Sequence, residues 1–198
     1  MIDEFLLLRY AHIIGAIVMG AGLLGVWIAD LRSRQVRSMS LYSECARFVA
    51  IFYDGLVVPG ALLLLVSGSF LIFLYYDGLG FLDHPWLVGM VGLFIFEFIE
   101  GNTLTRLHFS RLRRLSAEPE NNEKINEELN ETRKRLLPTF AHFLDLPMIA
   151  LIVALAVIRP DTWDMFFAGT LSALAIAITL TFWITKIYPW PDRKHNDP

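Results

Sequence analysis

Cysteine is nearly missing from this chain, charge is sparse, and half of its inter-helix connections carry almost no basic residues. The single cysteine among 198 residues is Cys45. A lone thiol excludes an internal disulfide and any Cys-x-x-Cys metal or redox motif. Charged residues make up only 19% of the chain, below the ~25% usual in soluble domains. The polar alternation of membrane barrel strands is also missing, which leaves closed helices as the way to cross a bilayer. No polar region is large enough to hold a core of its own, and no nucleic-acid partner is expected.

What the chain has instead is apolar length. Hydrophobic residues reach 55% and the mean hydropathy is +0.50. Five stretches can each cross ~30 Å of hydrocarbon as a helix: 5–29, 48–76, 85–108, 139–159 and 163–187. The fold expected is all-α, a polytopic bundle of five transmembrane helices with a four-helix core plus one, in a single domain spanning 1–198.

Fifteen of the seventeen Lys and Arg fall on one side of this topology, leaving only Arg9 and Arg159 for the other. The positive-inside rule then sets the amino terminus outside and the carboxyl terminus inside. Asp3 and Glu4 open the first span where a secretory signal would be basic, and no small-residue cleavage site follows, so that span reads as a helix that is retained. Trp86 and Trp163 at outer ends, with Tyr188 and Trp190 at the inner end, fit interfacial anchoring. The expected location is the bacterial inner (plasma) membrane, in contact with the lipid bilayer.

The main extramembrane piece is a cytoplasmic connection over about 110–138. Glu118 to Asn122 reads as a turn. Glu123 to Leu137 reads as a helix with acids first and Arg133-Lys134-Arg135 last, an order that suits its dipole, and Pro138 marks its end. In the first span, Gly15, Gly20, Gly22 and Gly25 would let helix backbones approach closely. Pro59-Gly60 and Pro147 should loosen or kink the second and fourth spans.

Two constellations carry possible chemistry. Glu97 and Glu100 lie near the middle of the third span, where a buried carboxylate is costly and points to function. Their i,i+3 spacing puts both on one helical face, and His142 and Asp145 repeat it on the antiparallel fourth span. Counting ~1.5 Å of rise per residue brings Asp54 of the second span to a similar depth. Carboxylates with an imidazole suit a divalent metal such as Fe, Mn or Zn, and they suit proton relay. Di-iron bundles use two Glu-x-x-His pairs with two further Glu, and Glu-x-x-Glu with His-x-x-Asp matches that only in part. The bland alternative pairs Asp54, Asp145 and Glu100 with Arg47, Arg106 or His108 near the inner interface.

The second constellation lies toward the outside. His12, two turns into the first span, has the setting of an axial haem b ligand. Met90 and His84 fall near enough in depth to be the second ligand, whereas His142 is ~15–20 Å too deep to share that haem. His195, in the tail, is assigned no role.

The stretch Arg9-Tyr10-Ala11-His12-Ile13-Ile14-Gly15, the run Asp54-Gly55-Leu56-Val57-Val58-Pro59-Gly60 continuing to Ser67-Gly68, and Trp86 ahead of a glycine-spaced third span resemble bacterial predicted membrane proteins of the DUF2269 type. The resemblance covers roughly residues 5–160 and brings no established activity. The first-helix Ala-His-Ile element is distantly similar to HemJ-type protoporphyrinogen oxidases and CopD-type copper proteins. In the HemJ type a histidine of that helix is associated with haem, which implies the same for His12.

The leading expectation is a haem b protein of electron transfer or oxidoreduction, with a redox partner and an acidic layer that handles protons. The rival is a metal-ion or proton transporter whose site is Glu97, Glu100, His142, Asp145 and Asp54. A third reading is a non-catalytic subunit of a larger membrane complex, with a homo-oligomer as a further possibility.

Overall fold

A computed structural model describes residues 3–76, 78–117 and 123–190, and every regular element among them is helical. Five helices are long and apolar enough to cross a membrane: Glu4–Gln35, Met39–Tyr75, Pro85–Ser116, Leu136–Ile158 and Asp164–Ile187, called here the first to fifth spans. A connecting helix, Glu123–Arg133, joins the third to the fourth. The predicted turn at Glu118 to Asn122 lies outside the described residues, as does His195.

Local chemistry sets the helix ends. Asp3 caps the first span by accepting from the Phe5 amide at 3.0 Å. Ser38 caps the second, and Pro85 opens the third at a position where its missing N–H costs nothing. The fourth span stops at Arg159, whose φ of 52° is the left-handed conformation of a helix terminus.

Three spans run well beyond their apolar stretches at the end where the basic residues gather. The second starts at Met39 and the third continues to Ser116. Hydropathy marks where lipid contact stops, whereas the backbone ladder continues as long as packing rewards it. Here Tyr42, Val49, Phe109, Leu112, Leu115 and Leu129 bury themselves together beneath the bundle. The connecting helix ends at Arg133, and Pro138 falls inside the first turn of the fourth span. Proline is tolerated in a first turn for the same reason that it breaks an interior one.

The first and second spans meet backbone to backbone. A Cβ on Gly60 would stand 2.5 Å from the Met19 amide nitrogen and 2.9 Å from the Gly15 carbonyl. One on Gly22 would stand 2.8 Å from the Val57 amide nitrogen, while Gly20 faces open space. The fourth span packs between the third and the fifth, and Leu93, Leu144, Met148, Leu151, Leu155 and Ala177 fill that contact.

Two spans contain a single wide, π-helical turn, Tyr53–Val57 in the second and Gly101–Thr105 in the third. The first sits just ahead of Pro59, whose ring would collide with the carbonyl four residues back in a regular α-helix. The expected loosening at Pro59 takes this form. The fourth span keeps Pro147 within one continuous helix. The wide turns face each other: a Cβ on Gly101 would lie 2.7 Å from the Tyr53 hydroxyl.

Candidate functional site

The third and fourth spans bring Glu97, Glu100 and Asp145 together. Each offers a carboxylate oxygen, and the three lie within 4.8 Å of one another. All three side chains are buried. Thr105 donates its hydroxyl to Glu100 Oε1 at 2.8 Å. Residues five apart on an α-helix point ~140° away from each other, so this bond depends on the wide turn between them. Glu97 Oε1 and Glu100 Oε2 are buried without a hydrogen-bond partner.

His142 adjoins this triad. Only 1% of the residue is exposed, and neither ring nitrogen has a hydrogen-bond partner. Nδ1 lies 3.9 Å from Asp145 Oδ2 and Nε2 lies 3.9 Å from Asp30 Oδ2. Packing holds the ring in place. Phe109 meets it edge-on at 5.0 Å between centroids, and the Trp27 indole N–H donates to the His142 carbonyl at 3.1 Å.

Asp30 is fixed in turn by Arg34, whose Nε donates to Oδ2 at 2.9 Å in an almost fully buried i,i+4 pair. The guanidinium stacks on Trp190 at 4.5 Å and lies over Phe143 at 5.7 Å. A continuous buried polar track therefore runs from Arg34 through Asp30 and His142 to the carboxylate triad. Hydropathy misses its lower half, because it places Arg34 among the loop cations and leaves Asp30 outside the first span. The signal that could have found them is their spacing, which is that of a helical ion pair.

On the other side of the triad lies a small open cleft with a cavity volume of about 30 Å³. Met19, Tyr53, Val57, Phe94, Glu97 and Asp145 are among its lining residues, so two of the three carboxylates border it, between the first three spans and the fourth.

The sequence matches the model of one protein family, the predicted integral membrane proteins DUF2269, over residues 6–160. The chain belongs to that family. Its matched stretch includes the first four spans and every residue of the polar track, and it stops before the fifth span. No curated protein and no solved structure matches the sequence. The DUF2269 match identifies a multi-pass integral membrane protein and assigns no chemistry.

The remaining predicted site residues of this DUF2269 chain lie elsewhere. Asp54 is exposed and forms an ion pair with Arg106, its Oδ1 accepting from the guanidinium at 2.9 and 3.0 Å. That is the pairing weighed against a functional role. Arg47 reaches Glu44 instead, at 4.0 Å and in the open. His12 is half-buried against the second span, with Nδ1 3.0 Å from Ser67 Oγ. Ser67 Oγ also reaches the Leu63 carbonyl at 2.5 Å. Met90 packs with the fourth and fifth spans. His84 is exposed, edge-on to Tyr76 at 5.4 Å and near Trp86 at 6.4 Å. His12, Met90 and His84 thus have three separate sets of neighbours.

Proposed function

We propose that this protein handles a cation at a site inside the membrane, between the third and fourth spans, and passes it between the cleft and the basic end of the bundle. The observation that carries this reading is the triad of buried carboxylates with a fully enclosed, unpartnered imidazole beside it. Carboxylates withdrawn from water and crowded together are costly to maintain in charged form, even with Thr105 donating to one of them. A cation in their midst, proton or metal, removes that cost. The track through His142 to Asp30 supplies a second exit, and the positive-inside bias directs that exit to the cytoplasm of a bacterial inner membrane.

Reconstitution into liposomes tests the reading. A gradient of protons or divalent cations should dissipate faster through the native protein than through empty vesicles. Glu97→Gln, which keeps shape and removes the charge, should bring the rate down at least tenfold. Native vesicles no leakier than empty ones would overturn it.

A second reading, haem binding with electron transfer to a redox partner, is favoured by one observation. His12 Nδ1 lies 3.0 Å from Ser67 Oγ, and a proton on Nδ1 would leave the Nε2 lone pair for an axial ligand. A haem there would supply one-electron chemistry, and of the three predicted ligands only His12 has a geometry that suits it. Purified protein should then show a Soret band that sharpens into α and β bands on reduction, lost in His12→Ala. A colourless preparation from cells supplied with haem precursor removes this reading.

A further inference from the structure

We infer that the intramembrane site takes a single divalent cation of the first transition row or zinc, bound by Glu97, Glu100 and Asp145 with His142 Nδ1 as the nitrogen ligand and Asp30 as the carboxylate that orients the imidazole. This rests on the cation-handling reading and names the cation.

The geometry of His142 is the independent observation. Its ring is enclosed and both nitrogens face carboxylates at 3.9 Å, beyond the ~3.2 Å limit of a good hydrogen bond. Two donors held at ~2.0–2.2 Å by one metal ion at octahedral or tetrahedral angles sit ~2.8–3.6 Å apart. The Nδ1–Asp145 separation is too long for a direct bond and exceeds that spacing by a few tenths of an ångström, so a shared cation would draw the two donors together. The triad oxygens lie within 4.8 Å of one another and can draw in around one point, whereas His142 Nδ1 lies outside that group and must move toward it to become the fourth donor. Glu97 Oε1, Glu100 Oε2 and His142 Nδ1 are all unpartnered, and a cation among them would satisfy all three at once.

The other nitrogen completes the pattern. A metal-bound imidazole characteristically turns its second N–H to a carboxylate, which fixes tautomer and orientation. Nε2 faces Asp30 Oδ2 at 3.9 Å, so the orienting bond forms only once that gap closes, and Arg34 anchors the same oxygen at 2.9 Å. With a metal bound, the proton would sit on Nε2, toward Asp30, and the Nδ1 lone pair would be given to the cation.

The donor set also selects among cations. Three carboxylates alone would suit Mg²⁺ or Ca²⁺, whereas one imidazole in four donors shifts preference toward Mn²⁺, Fe²⁺, Co²⁺ or Zn²⁺. Two positive charges against three carboxylates leave the site one charge short of neutral, so a single cation suffices and a second has no further ligands.

The test uses the full chain, purified with a tag free of histidine, stripped by chelator and titrated with Co²⁺ in detergent. The expected result is one Co²⁺ per chain, visible bands of an oxygen-and-nitrogen-ligated ion, displacement by Zn²⁺ and no displacement by excess Mg²⁺. Asp30→Asn should weaken binding about 10–100-fold, as loss of an orienting partner does. In Asp145→Asn and His142→Gln the bands should be lost or changed, with elution position confirming the fold. Absence of Co²⁺ binding by the native protein overturns the inference. If the same preparation then moves protons in liposomes with loss in Glu97→Gln, the metal fails and the cation-handling reading stands. If it moves nothing, both fall. Binding indifferent to His142→Gln and Asp30→Asn also overturns the ligand assignment.

Discussion

Arg34→Met is expected to cost about 3–5 kcal/mol of stability, because it strands the Asp30 carboxylate as a buried unpaired charge. Both members of the pair are almost wholly enclosed, at 2% and 3% side-chain exposure, so solvent screening takes little from the effect. The guanidinium also packs on Trp190 and Phe143, and methionine replaces only part of that contact. The comparison that isolates the charge is the double change Asp30→Asn with Arg34→Met. Removing both partners avoids the stranded charge, so the double variant should be more stable than Arg34→Met alone. Thermal unfolding in detergent measures this. A single variant within about 1 kcal/mol of native would mean that water reaches Asp30, contrary to its burial.

Gly60→Ala is the second large effect, and its sign is what matters. Alanine in place of glycine ordinarily favours a helix by about 1 kcal/mol. At Gly60 the new methyl group would lie 2.5 Å from a backbone nitrogen of the first span. Backbone cannot rotate aside as a side chain does, so the two spans must separate, at a net cost of about 2–3 kcal/mol. Gly20→Ala is the matched control. Nothing lies within 4 Å of the added carbon there, so the ordinary helix preference should appear as neutrality or a slight gain. Equal behaviour of the two variants in an unfolding assay would show that the spans do not meet at Gly60.

These two sites also mark how far the sequence can be read. The glycine stripe points to close helix contact, and Gly15, Gly22 and Gly60 make it. The i,i+3 pairs Glu97/Glu100 and His142/Asp145 point to a shared layer, and these residues meet. Depth along a helix is given directly by residue count. Rotation about the axis is not, and that is where Asp54 departs from expectation. It lies one residue into a wide turn that rotates the rest of the span, and it points outward to Arg106. Asp30 is hidden for a different reason. It sits where apolar character fades, so hydropathy ends the span at residue 29 while the helix goes on to Gln35. The hydrogen-bond partner of His12 is Ser67, fifty-five positions away, and no local pattern carries that.

The fifth span contributes no residue to the polar track and lies beyond the family match, yet it settles a matter of parity. Four crossings would return the chain to the face from which it set out. A fifth crossing delivers the residues after it to the opposite face, the one where the first span ends. Trp190 is there, laid across Arg34 and within 5.4 Å of Arg133. An added helix that packs along the fourth span thus works as a tether. Its length fixes how far the tryptophan can reach, and its register against Leu151, whose side chain fills the space beside Gly169, fixes where that tryptophan comes to rest.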